Sequence, residues 1–191
     1  MKYQIAINIA LFCGLRNGEI LGLTWNDIDF ENKTISINKA RAITDDDGMI
    51  TKYPKTKSSI RTISAQDIVI NSLKEYMKIQ DKDREILSDL WDPGWYDTPW
   101  ILTQWDGKGM HYHTISKWLK KIVVMYNESI INDESIPSKE KSVYLLPVLS
   151  INKLCYTSAT LLISRNTDIK QLLQDLVMLI QVQQCIYTFM D

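Results

Sequence analysis

Cysteine is too sparse in this chain to build a scaffold: Cys13, Cys155 and Cys185 form no Cys-x-x-Cys pair, so neither a disulfide framework nor a zinc site is expected. Histidine is almost missing, with only His111 and His113. No apolar run approaches the ~18 to 20 residues needed to cross a bilayer, and the opening "MKYQIAINIALFCGL" carries a polar Asn8 and no small-residue cleavage site. A cytoplasmic protein without a membrane partner is expected. An excess of positive charge is lacking too, since 22 Lys and Arg stand against 23 Asp and Glu for a net charge of −1. That balance argues against coating nucleic acid by bulk electrostatics, while leaving room for a local basic surface. No internal repeat or low-complexity tract is visible.

What the chain has is enough apolar residue, 45% of 191, to bury one sizeable core, so a single domain over 1–191 is expected. Ile5, Ile9 and Phe12 recur at helical spacing, Cys13-Gly14 breaks the run, and "RNGEILGL" resumes it, which puts Arg16 at a helix junction. Ile35 and Ile37 then alternate with polar neighbours, and "DDDG" at 45–48 supplies a turn, predicting a small antiparallel sheet of two or three strands. A long helix follows, capped at Ser64 or Asp67, with Ile68, Leu73, Tyr76 and Met77 on its buried face. The tryptophan-rich stretch 91–105 suits loops over a core, with 100–103 as a short buried strand. Another helix starts at about Thr114 and buries Ile115, Trp118, Leu119 and Ile122. The acidic stretch "ESIINDESIPSKEKS" reads as a loop, and helices over 150–164, 168–177 and 179–190 close the chain. Trp25, Trp100 and Trp118 are expected to help fill the core. The fold class is α+β, mainly helical, with one small antiparallel sheet.

Basic residues cluster despite the neutral balance. Lys52, Lys55, Lys57 and Arg61 lie on a predicted hairpin without an acidic residue among them; Lys108, His111, His113, Lys117, Lys120 and Lys121 have only Asp106 nearby. Such groups suit a phosphate backbone, although two solvated faces would look the same. Arg16 sits among Leu11, Phe12, Leu15, Ile20, Leu21, Leu23 and Trp25, where a guanidinium needs something to pair with. Glu19, three residues on, is the simplest partner.

The stretch "ALFCGLRNGEILGLTWNDID" resembles the first arginine box of the tyrosine recombinase (phage integrase) family: Leu-Arg, two residues, Glu, then Leu and Trp before an acidic pair. "KTKSSIRTIS" resembles that family's lysine-bearing hairpin, "LLPVLSINKLCYTSATLLISRNTDIKQLLQDL" its His-x-x-Arg segment, and "IYTFMD" its terminal tyrosine segment. The resemblance implies the family's catalytic-domain fold. It also implies a chemistry in which a tyrosine attacks a DNA phosphodiester, giving a 3′-phosphotyrosyl link without metal or nucleotide cofactor. Double-stranded DNA and further integrase protomers would be the partners, in the setting of a phage or other mobile element. Residue by residue it assigns Arg16 as the first arginine, Lys57 as the hairpin lysine, with Lys55 two residues away as its alternative on the same strand face, and Tyr187 as the nucleophile. Lys52, Lys55, Arg61, Lys117 and Lys120 would hold the DNA backbone.

Three family positions depart from the pattern. Where the family has His-x-x-Arg this chain has Asn152 and Cys155, and where it has Gly-His before the tyrosine this chain has Val177-Met178. Neither Cys155 nor Met178 offers the donors of the residue it replaces. The family's N-terminal DNA-clamping domain is also expected to be absent, since Met1 stands about one helix ahead of Arg16. The resemblance therefore implies either an impaired recombinase catalytic domain or a non-catalytic remnant that binds DNA or another protein.

Overall fold

The computed structural model describes residues 1–54, 60–148 and 150–155. Helix α1 (Lys2–Cys13) is apolar around its whole circumference, with every residue from Ile5 to Leu11 buried, so it runs through the core rather than along it. Gly14 ends it in the left-handed conformation (φ 66°) and returns its N–H to the Ala10 carbonyl. After buried Leu15 and Arg16 comes α2 (Asn17–Gly22), whose Ile20 and Leu21 pack inward.

Two turns later the period changes to that of strands. β1 (Ile28–Asp29), β2 (Thr34–Ile37) and β5 (Arg61–Ser64) form an antiparallel sheet in the order β1-β2-β5, with Ile35 opposite Ile63 and Ile37 opposite Arg61. Ile35 and Ile37 face the core, as their alternation predicts. Beside this small sheet stands a separate ribbon, β3 (Ala40–Thr44) paired with β4 (Gly48–Lys52) through the turn at 45–47. The division falls at Asn38 and Lys39, whose side chains both reach the buried Asp27 carboxylate, at 2.7 and 2.6 Å, and turn the chain out of the first sheet. Lys52 and Arg61 therefore belong to different sheets rather than to one hairpin. The ribbon packs on α2 at two glycines. A Cβ on Gly18 would stand 2.6 Å from the Arg41 carbonyl oxygen, and one on Gly22 2.9 Å from that of Lys39.

Helix α3 (Asp67–Leu87) crosses α1 and buries Val69, Ile70, Leu73, Tyr76 and Gln80. The stripe is rotated from the expected one: Ile68 is exposed. Gln80 is the polar pin. Its oxygen accepts the Trp25 indole N–H at 2.6 Å, and its amide donates to the Ile101 carbonyl at 3.0 Å and the Thr103 hydroxyl at 3.1 Å. The expected strand over 100–103 is reduced to single bridges, Thr24 to Trp100 and Thr103 to Gly109, with Ile101 and Leu102 buried between them.

Helix α4 (Thr114–Asn132) starts where the sequence predicts and buries Ile115, Leu119, Ile122 and Val123. It runs through residues 128–132, which read as loop in the sequence. Before them, Val123 and Tyr126 of the same helix form a second small cluster with Leu146. Trp118 stacks on Tyr3 of α1 with centroids 4.8 Å apart, and Trp25 packs against Phe30 and Tyr76. Both line the main core, whereas Trp100 lies under the Arg41 guanidinium, 4.9 Å from its ring, outside that cluster. After α5 (Lys141–Tyr144), residues 151–155 are helical. They begin the first of the expected closing helices, 150–164, whose remainder lies outside the described residues together with the other two.

Candidate functional site

Residues far apart in sequence meet around one cavity of about 270 Å³, lined by Arg16, Gly18, Glu19, Ala40, Tyr112, Asn152 and Cys155. Leu15, wholly buried, fixes the chain just before Arg16, and Arg16 itself caps α2 in an extended conformation (φ −73°, ψ 155°). This combination turns its side chain outward. The guanidinium is exposed and makes no hydrogen bond or ion pair with a described residue, so the simple Arg16–Glu19 side-chain pair is not formed.

Glu19 is occupied otherwise. One carboxylate oxygen accepts the Arg16 backbone N–H at 2.9 Å, a reach-back typical of helix starts. The same carboxylate takes both arms of the Arg61 guanidinium, at 2.8 and 2.9 Å. Burial alone would raise the Glu19 pKa, but the bonds from Arg61 and from the Arg16 amide outweigh it and hold the carboxyl below its usual range. Arg61, expected to hold DNA, thus has its fork already engaged.

The far wall comes from the end of the described chain. Asn152 Oδ1 accepts the Asn17 N–H at 3.3 Å, and Asn17, itself buried, donates its amide to the Tyr112 carbonyl at 3.0 Å. Two bonds between the Asn127 amide and the Leu146 backbone, both 2.9 Å, lead the chain into this position. Cys155 is buried beside them. Burial raises its thiol pKa despite the nearby Arg16 and Arg61 charges, so the sulfur faces the cavity as a neutral group. Arg16, Asn152 and Cys155 are brought together as their places in the motifs imply. The cavity can accept an anion at Arg16, while its Cys155 side offers no second cation.

The other basic residues are placed less closely. Lys52 is exposed at the end of β4, and Lys117, Lys120 and Lys121 are exposed along α4. Lys108 is paired with Asp106 at 3.1 Å. His111 and His113, with ring centroids 5.8 Å apart, are exposed on either side of Tyr112, which alone of the three lines the cavity. Lys55, Lys57, Met178 and Tyr187 lie outside the described residues. Sequence reasoning missed Tyr112, Asn17 and Asn127. Only Asn17, adjacent to Arg16, carried a signal, as a polar residue inside an apolar run.

The phage integrase family model matches residues 1–174. The chain belongs to that family. It is 40% identical over 84 residues to a tyrosine recombinase XerC-like protein of Caldanaerobacter subterraneus subsp. tengcongensis, covering 40% of this chain and 22% of that protein. To the integrase of Staphylococcus phage L54a it is 32% identical over 124 residues, 64% of this chain and 34% of the other. Among solved structures, the Tn1549 transposon integrase in complex with transposon right end DNA superposes with a TM-score of 0.67 at 24% identity, over 90% of this chain and 49% of that one. XerA recombinase gives 0.52 at 14% identity, over 88% and 50%. These two likenesses are of fold: a mainly helical catalytic domain with a small antiparallel sheet. The chain spans about half the length of the solved chains, and its matches cover 22% and 34% of these two curated relatives.

Proposed function

We propose that this chain is the catalytic domain of a site-specific DNA recombinase of the integrase type, with its strand-transfer chemistry impaired. The observation that carries the reading is the Arg16 guanidinium, without a hydrogen-bond or ion-pair partner among the described residues, sharing one cavity with Asn152 and Cys155. In the reaction the Tyr187 hydroxyl attacks the phosphorus of a DNA phosphodiester. The tyrosine hydroxyl gives up its proton to solvent as the tyrosyl–phosphorus bond forms, the bond to the 5′ oxygen breaks, that oxygen leaves as a hydroxyl after taking a proton from Lys57, and a 3′-phosphotyrosyl link results. Reversal by a 5′-hydroxyl rejoins the strand without an outside energy source. Charge grows on the non-bridging phosphate oxygens as phosphorus becomes five-coordinate, and in this reading Arg16 holds one of them. Asn152 is spent on capping α2 and Cys155 is a neutral thiol, so the wall opposite Arg16 lacks the second fork and the imidazole such a phosphate needs.

The neutral thiol also supports a second reading, a domain that binds DNA without cutting it. Incubating the full chain with a pool of nicked duplexes of randomised sequence, then denaturing in SDS, separates the two. A slow covalent adduct, lost in Tyr187→Phe, is the expected result. Binding of the same duplexes with no adduct at any time would leave only the second reading, and absence of binding would overturn both.

A further inference from the structure

We infer that Arg61 is a positioning residue whose task is to keep Glu19 away from the Arg16 guanidinium, leaving Arg16 free to take a DNA phosphate. The inference rests on the reading of Arg16 as a phosphate ligand. Glu19 stands three residues after Arg16 at the start of α2, close enough for the Arg16 charge to act on its carboxylate. They do not pair here. Both Glu19 carboxylate oxygens are taken by the two arms of Arg61, at 2.8 and 2.9 Å, with the Arg16 backbone N–H on one of them. The Glu19 side chain is only 12% exposed, so it cannot turn to water for a counter-charge; some cation must answer it. A planar fork matching a carboxylate edge to edge is the strongest competitor for that place.

The geometry of β5 makes the arrangement rigid. Arg61 is the first residue of that strand, held opposite Ile37 in the sheet register, and Ile37 is buried in the core. The guanidinium therefore reaches α2 from a fixed base on another element. Were Arg61 removed, the nearest cation able to satisfy Glu19 would be the Arg16 side chain on the same helix start. Arg16 would then be neutralised within the protein and drawn away from the cavity mouth. A lysine at position 61 would be a point charge on one oxygen and would leave the other for Arg16.

Binding of a fluorescein-labelled mixed-sequence duplex to the full chain tests this, in wild type, Arg16→Ala, Arg61→Gln, Arg16→Ala/Arg61→Gln and Glu19→Gln/Arg61→Gln, with each fold checked by circular dichroism. Arg61→Gln should weaken binding by about three- to tenfold, the scale of one charge pair partly screened by water. The same change in the Arg16→Ala background should have almost no effect, and Glu19→Gln should restore the affinity that Arg61→Gln loses. An equal loss from Arg61→Gln with and without Arg16 would make Arg61 a direct phosphate contact and overturn the inference. So would failure of Glu19→Gln to rescue. If Arg61→Gln alone loses its fold, the neutral Glu19→Gln/Arg61→Gln chain, compared with and without Arg16→Ala, carries the test: it should bind as wild type does only while Arg16 is present. If Arg16→Ala by itself leaves binding unchanged, the phosphate reading of Arg16 fails instead, an outcome distinct from the others.

Discussion

At the scale of single residues, two carboxylates, Asp27 and Glu19, are each answered by a cation from elsewhere in the chain. Asp27 accepts from the Thr24 N–H and hydroxyl, Asn38 and Lys39, with its side chain 4% exposed. Burial alone would raise its pKa, but the Lys39 and Thr24 bonds outweigh that and hold it below the ordinary range, as Arg61 does for Glu19. A carboxyl whose folded pKa lies below its unfolded value, about 3.9 for Asp and 4.3 for Glu, contributes stability that is complete above the unfolded value. That stability drains away as pH falls through the folded value. Urea midpoints should therefore be level from neutral pH down to about 5 and fall on further acidification. Asp27→Asn should cost about 1 to 3 kcal/mol at neutral pH and flatten the acid slope; an unchanged slope would place the acid-sensitive group elsewhere. The sequence made Arg16 stand out but misjudged its surroundings. Its apolar neighbours belong to α1, to Leu15, to the buried side of α2 and to the turn after it, whereas Arg16, at the junction between the two helices, is exposed. Exposed at the start of α2, Arg16 needs no protein partner, whereas the largely buried Glu19 does, and that partner, Arg61, lies 42 positions from it and follows no helical or strand period.

At the scale of elements, turns and helix starts were legible and lengths were not. Gly14, the 45–48 turn and Thr114 fall where small and turn-forming residues mark them. The continuation of α4 to Asn132 was hidden because Glu128 to Asn132 looks like turn-rich surface, and the contact that the preceding turn makes with Leu146 is tertiary. Asn127 makes that contact specific by pairing both ends of its amide with the Leu146 backbone. Asn127→Ala leaves two partly buried backbone groups without partners and should cost about 1 to 3 kcal/mol in urea unfolding. It should also loosen the approach to residues 151–155, so that Cys155 reacts faster with a thiol reagent under native conditions. Unaltered reactivity together with unaltered stability would show that the clamp does not position that wall. The two sheets were likewise read as one because the division depends on Asn38 and Lys39 turning toward Asp27, a contact that strand alternation does not record.

At the scale of the whole molecule, the family was legible in the sequence. Arg16, Asn152 and Cys155 could be named together from the sequence because motif spacing survives when side chains change. Tyr112 and Asn17, which join the two walls, have no such spacing and emerged only from the fold. Loss of one preorganised donor to a developing oxyanion costs about 10² to 10³ in rate, and removing several from one site is less than multiplicative. The most direct test of an emptied phosphate site is the rate of SDS-resistant adduct formation on nicked duplex by the chain carrying Asn152→His, Cys155→Arg and Met178→His, set beside the native chain, with Tyr187→Phe in both. Faster adduct formation by the rebuilt chain, abolished by Tyr187→Phe, is the expected result. Equal rates in the native and rebuilt chains would contradict the assignment of Asn152, Cys155 and Met178 as the places where the chemistry was lost.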